Sequence, residues 1–110
     1  MSRVFIASYN SRFDTPVTRS ALEVYGAIEY LLGNGTPFPS PLRLHEYYTT
    51  IKSQLLLVDF DVHADFIALT GSTLQVSLLM SAALTEYGDV SFLVFDAANE
   101  RYIERSLCVA

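Results

Sequence analysis

Between Leu74 and Leu84 the chain reads LQVSLLMSAAL, and its only polar members are Gln75, Ser77 and Ser81. No charge interrupts the stretch. Ser72 or Thr73 ahead of it supplies an N-cap and Gly88 behind it a stop, so the spacing predicts a helix. A helix that is apolar nearly all round must be covered on more than one side. In a chain of 110 residues, enough for one domain, the simplest second cover is another subunit.

The remaining segments predict what that helix packs against. RVFIASY, from Arg3 to Tyr9, is rich in β-branched and aromatic residues and reads as a buried first strand. Asp14 or Thr15 can cap a helix that starts at Pro16, where a missing N–H costs nothing. Val17, Ala21, Val24, Ile28 and Leu31 form its apolar stripe, and Gly33 and Gly35 end it with a left-handed C-cap. TPFPSPL, with three prolines, is neither helix interior nor central strand. RLHEYYTT and SQLLLVDFDV predict two strands joined by a turn at IKS, or one long strand. DVSFLVFD reads as a buried strand, DAANER as a turn, and RYIERSLCVA as a more polar edge strand. The resulting order, β-α-β-β-α-β-β, predicts an α+β two-layer sandwich over residues 1–110 as one domain. It is a ferredoxin-like β-α-β-β-α-β unit with an extra C-terminal strand, its helices on one face of a mainly antiparallel sheet.

Charge and cysteine content narrow the function classes. A formal net charge of −5, with seven scattered basic residues, argues against nucleic-acid binding, which needs clustered Lys and Arg. An acidic surface suits a basic protein partner instead. The one cysteine, Cys108, excludes an internal disulfide framework and fits a reducing cytoplasm. Its neighbours Leu107 and Val109 predict a packed thiol. The start MSRVFIASYN has no signal-peptide pattern, and no apolar run approaches the ~20 residues that span a bilayer.

DFDVHADF, residues 59–66, alternates polar and apolar positions. On a strand, Asp59, Asp61, His63 and Asp65 would share one face, but over ~20 Å they could not converge on one ion. The pattern is better read as a solvated strand face, or, from Val62 onward, as a short helix before Gly71. Neither histidine, His45 or His63, belongs to a cluster with metal-ligand spacing, and no phosphate-binding or nucleophile motif occurs. Glu23 and Glu29, placed on the first helix, read as solvated.

GTPFPSPLRLHEYYTTIKSQLLLVDF, together with VFIASYNSRF near the start and ALTEYGDVSFLVFD near the end, carries a resemblance. The order and spacing resemble the small bacteriophage enzymes that degrade S-adenosylmethionine, the S-adenosylmethionine lyases formerly called hydrolases. The resemblance implies a trimer with ligand sites between subunits. It also implies an intramolecular elimination yielding methylthioadenosine and homoserine lactone, which would deprive host restriction-modification enzymes of their cofactor. The family's acidic residue before an apolar strand matches Ser53 or its neighbours Lys52 and Gln54, none of them acidic, so no catalytic residue carries over. The ligand residues implied are Ser8, Asn10 and Ser53 for the ribose or amino-acid moiety, and either Tyr47 or Tyr48 for the adenine or sulfonium. The expectation is therefore an S-adenosylmethionine-binding homo-oligomer without cofactor or metal, in contact through the uncharged helix or the edge strand near Tyr102. The alternative is an acidic oligomeric interaction protein that inhibits a host enzyme without catalysis.

Overall fold

A computed structural model describes residues 2–9, 14–32 and 43–109 of the chain. The first strand, β1 (Arg3–Ser8), is buried along nearly its whole length, as its Val-Phe-Ile-Ala sequence requires. The first helix, α1 (Pro16–Glu23), starts as the sequence indicates: Thr15 accepts a hydrogen bond from Thr18 N, and Pro16 occupies the first turn.

It stops much sooner than its apolar stripe suggests. Residues from Ala27 to Leu32 form a second strand, β2, paired in parallel with β1. Gly26 is the physical reason. A Cβ there would lie 2.4 Å from the carbonyl oxygen of Ser2, so only glycine lets β2 begin hard against the start of β1. Of the expected stripe, Val17 and Val24 are exposed, and Leu22 turns inward instead. The glycines at 33 and 35, and the proline-rich segment that follows, lie outside the described residues.

The larger correction is α2 (Leu44–Leu57), one continuous helix where two strands were expected. Tyr47, Ile51 and Leu55 recur every four residues, and the last two are fully buried. Thr49 and Thr50, the β-branched residues that suggested a strand, donate their hydroxyl protons to the carbonyls of His45 and Glu46 one turn back. After α2 come a short strand, β3 (Phe66–Ala68), then α3 (Thr73–Tyr87), β4 (Asp89–Asp96) and β5 (Arg101–Cys108). Helix α3 matches its sequence signals, with Ser72 as N-cap and Gly88 as left-handed C-cap. The edge position of β5 does too.

The chain is thus α+β in composition, with a five-stranded mixed sheet in the order β2-β1-β3-β4-β5. Only the β4–β5 pair is antiparallel; β1–β2, β1–β3 and β3–β4 are parallel. The expected mainly antiparallel sheet is therefore wrong. It followed from reading 44–58 as strand: with a helix there, each crossover returns the chain in the same direction. Helices pack on both faces. Phe5, Ala7, Ile67 and Val90 join the core under α2 and α3, while Val4, Ile6, Ala68 and Leu93 join the one under α1 and its Leu22. Helix α3, uncharged from Leu74 to Leu84, lies against β1, β4 and α2, so its second cover comes from within the chain.

The DFDVHADF segment is not a strand face. Asp59 sits at φ 56°, residues 62–64 are turn, and His63 N donates to Asp61 Oδ1. Asp65, one of the four residues expected to be solvated, is buried and paired with Arg3. Glu29 stands on β2, 3.8 Å from Arg3. Cys108, expected to be packed, is exposed because the edge strand leaves it uncovered. No helix among the described residues is long and apolar enough to cross a membrane.

Candidate functional site at the carboxyl end of the sheet

In an open parallel sheet, ligands bind where successive crossovers diverge, outside the carboxyl ends of the two strands concerned. Here β1 leads through α1 to β2 on one side, and β3 leads through α3 to β4 on the other. The divergence lies between β1 and β3. Ser8 ends β1, and Thr70, Gly71 and Ser72 follow β3 into α3. The first turns of α1 and α3 both start from this edge of the sheet.

A buried hydrogen-bonded chain links the elements that meet here. Ser8 Oγ donates to Gln75 Oε1 at 2.8 Å, and Gln75 Nε2 donates to Tyr47 OH at 2.7 Å. Three elements, β1, α3 and α2, are joined by two bonds. Ser8 and Gln75 are buried, and Tyr47 is half-buried, which pushes its phenol pKa up; the bond from Gln75 opposes that shift. The bond directions leave a defined chemistry. Among the described residues Tyr47 only accepts, which leaves its O–H proton to donate, and Ser8 only donates, which leaves its oxygen lone pairs to accept.

On the α1 side, Arg19 Nη1 donates to Asp14 Oδ1 at 3.1 Å and to Tyr30 OH at 3.0 Å. Tyr30 is packed edge-on against Tyr9, the residue after Ser8, with ring centroids 5.5 Å apart. Burial, then the Asp14 carboxylate, raises the Tyr30 phenol, while Arg19 pulls it down. The Asp14 hydrogen bond holds the Arg19 guanidinium firmly charged. Next to this cluster a cleft of about 330 Å³ opens between Thr15 and Thr18 of α1, Thr70 and Gly71, and the rings of Phe95 and Tyr102. That volume is at the lower end of small-molecule sites.

Of the five residues singled out in the sequence, the structure brings Ser8 and Tyr47 together, through a residue that was not singled out. Gln75 is the only polar side chain on the buried face of α3, and that isolation was the available signal. Tyr48 turns the other way: its hydroxyl donates to Thr85 Oγ1 at 3.4 Å, and its ring lies 5.8 Å from Lys52 Nζ. Lys52 in turn pairs with Glu86 at 2.9 Å. Ser53 is exposed on α2, remote from the network's face, and Asn10 lies outside the described residues. Asp59, Asp61 and His63 are exposed, and among the described residues no three His, Cys, Asp or Glu side chains converge to hold a metal.

Comparison with family models, with curated proteins and with solved structures finds no match. Within the segment that carries the resemblance to the S-adenosylmethionine lyases, Leu44–Leu57 is the single helix α2 rather than a Tyr-bearing strand followed by an apolar one.

Proposed function

We propose that the crevice between the carboxyl ends of β1 and β3 binds a small polar ligand, with Ser8 and Tyr47 as its hydrogen-bonding pair. The observation that carries the reading is the Ser8–Gln75–Tyr47 chain at the divergence of the crossovers. A ligand there meets an acceptor at Ser8 and a donor at Tyr47. A sugar hydroxyl can answer both, since it donates and accepts. Adenosine-containing ligands are therefore the first class to test, and the resemblance names S-adenosylmethionine among them.

Cleavage would need little from the protein. A carboxylate oxygen of the substrate attacks its own γ-carbon, the carbon–sulfur bond breaks, and the electron pair neutralises the sulfonium as methylthioadenosine leaves. No proton is transferred, so holding the folded conformer supplies the rate. This accords with the lack of an acidic residue at 53. In a bacterial cytoplasm such an activity would deplete the cofactor of restriction-modification enzymes.

Two measurements test the reading. A ligand at a hundredfold excess over its Kd stabilises the fold by ~2.7 kcal/mol, so a thermal-shift series with adenosine, methylthioadenosine and S-adenosylmethionine should raise Tm for at least one. Incubation with S-adenosylmethionine should then release methylthioadenosine. Unchanged Tm with every adenosine ligand defeats the site assignment; binding without product leaves a binder and defeats only the lyase step.

A second reading, an acidic protein that inhibits a partner through its surface, is favoured by Leu56 and Leu57, which stand 58% and 75% exposed on α2. It predicts no thermal shift with small molecules.

A further inference from the structure

The free edge of the sheet is guarded along only half its length. β5 is the terminal strand of the order β2-β1-β3-β4-β5, so among the described residues one side of its backbone has no strand partner. Its first half carries Arg101, Glu104 and Arg105, the kind of charged residue that discourages edge pairing. From Ser106 to Val109 there is neither charge nor proline, and Leu107 and Val109 are 46% and 61% exposed. The opposite edge is different: α2 packs on β2, and Leu31 and Leu32 are buried.

The unguarded half also borders an uncovered apolar strip. Leu107 lies opposite Val90, and Ile103 opposite Val94. Val90 belongs to the core under α2 and α3, so Leu107, Ile103 and Val94 share that face by alternation, with Arg105 between the two β5 residues. Val94 is 38% exposed: on this face α3 packs on β4 and does not extend over β5, while α1 packs against β5 from the opposite face.

We propose that this edge pairs with β5 of a second copy of the chain, antiparallel and about a two-fold axis perpendicular to the sheet. Charge selects both the occupant and the register. The whole chain has a formal charge of −5, and two copies repel over most of their surface. β5 itself carries two arginines and one glutamate, so an approach along this edge escapes the repulsion between acidic faces. In such a pair, residues opposite one another point to the same face, so the axis passes through a residue that meets its own copy. Centring on Ile103 would oppose Arg101 to Arg105 twice. Centring on Glu104 or Arg105 would oppose each to itself. Like charges directly opposite are destabilising. Centring on Ser106 gives the longest overlap free of such conflicts: Arg105 meets Leu107, Glu104 meets Cys108, and Ile103 meets Val109, each twice. The two sheets become one of ten strands, and the two apolar strips adjoin.

The pairing does not depend on the ligand site and is tested separately from it. Sedimentation equilibrium on the full chain at micromolar concentration should give twice the chain mass of 12.3 kDa. Leu107→Lys and Val109→Lys should each raise the dimer dissociation constant at least about tenfold, which is ~1.4 kcal/mol. Val24→Lys, at the 81% exposed C-cap position that follows α1, should leave it unchanged. Should Leu107→Lys lose its far-UV circular dichroism, Val109→Lys decides, because it lies beyond the last residue of β5. A wild-type particle of chain mass across the micromolar range overturns the proposal, and is the expected result if the edge takes an extended peptide of another protein. A dimer untouched by both lysines also overturns it, by placing the contact elsewhere.

Discussion

β1 is held by buried polar groups at both of its ends, and the two ends are built from opposite chemistry. At the amino end the contacts are charged. Arg3 Nη2 lies 2.7 Å from Asp65 Oδ2 and its Nε 3.3 Å from Oδ1, a two-pronged pair. The same guanidinium donates to the carbonyls of Val58 and Asp59 at 2.9 Å each, which satisfies the carboxyl end of α2. Asp65 also accepts from the backbone of Arg3 at 3.0 Å and of Asp61 at 2.8 Å. At the carboxyl end, Ser8, Gln75 and Tyr47 are neutral and share two bonds. A full charge pair in a buried setting is rigid, because losing either partner strands the other. A neutral hydroxyl–amide chain is worth about 1 kcal/mol per bond and can exchange one partner for another of similar polarity. The amino end therefore fixes where β1 starts. On the reading proposed above, the carboxyl end is the one that trades its bonds with a ligand.

The largest effect should come from breaking the amino end. Asp65→Ala leaves Arg3 without its carboxylate and removes acceptors from two backbone N–H groups. Breaking a buried pair costs about 3–5 kcal/mol; with the Arg3 side chain 29% exposed, about 2–3 kcal/mol is the fair expectation. Urea unfolding measures it. A loss under 1 kcal/mol would mean that the charged end is no firmer than the neutral one.

Acid should reveal the same contrast with a smaller amplitude. Burial alone would raise the Asp65 carboxyl, but the hydrogen bonds from Arg3 and from the Asp61 backbone, with the charge of Arg3, hold it below the usual carboxylate range. A depressed native pKa contributes stability that is fully present above the unfolded value of ~3.9 and is lost as pH falls through the native one. The wild type should thus lose this contribution below about pH 4, and Asp65→Asn should show a flatter acid limb from a lower starting stability. Equal slopes for the two proteins would remove Asp65 from the account.

The contrast between the ends was only half visible in the sequence. α3 with its Ser72 cap and Gly88 stop, the edge strand β5, and the start of α1 at Thr15–Pro16 were legible because each is a local signal. The parallel sheet was not, because it turned on α2, where Thr49, Thr50 and two tyrosines imitate a strand until their four-residue recurrence with Ile51 and Leu55 is weighed. Gly26 falls inside the span expected to be helix, since nothing local shows that the Ser2 carbonyl will arrive beside it. Asp65 was hidden by the alternation of DFDVHADF, which mimics a wet strand face; its partner is 62 residues away. At the other end, Ser8 and Tyr47 were chosen as hydrogen-bonding candidates without the residue that links them.

That linking residue gives the next effect in size. Gln75→Leu fills similar volume but leaves Ser8 Oγ and Tyr47 OH without their shared partner, which should cost about 1–3 kcal/mol. It should also abolish any thermal shift given by an adenosine ligand, because both hydroxyls lose the orientation that Gln75 imposes. Asp65→Asn, by contrast, should reduce stability while leaving the ligand-induced shift intact. A Gln75 variant that still responds to ligand would separate the neutral network from the site.

The smallest change is Tyr47→Phe, and it discriminates most finely. The ring and its packing remain, and only the hydroxyl that accepts from Gln75 Nε2 at 2.7 Å is removed. The expected loss is about 1 kcal/mol at neutral pH, one ordinary hydrogen bond. The alkaline side carries a second signature. Burial raises the Tyr47 phenol above its ordinary value, so above ~pH 10 the unfolded chain releases this proton before the folded one does. The unfolded state then binds fewer protons, and stability falls as pH rises. Tyr30, Tyr87 and Tyr102 are raised by burial in the same way, so the wild type and Tyr47→Phe should both weaken in alkali. The gap between their unfolding free energies, about 1 kcal/mol at pH 7, should narrow above ~pH 10 as the wild type alone loses the Tyr47 share. A constant gap would show that Tyr47 ionises alike in both states, and that its hydroxyl is no part of a buried network.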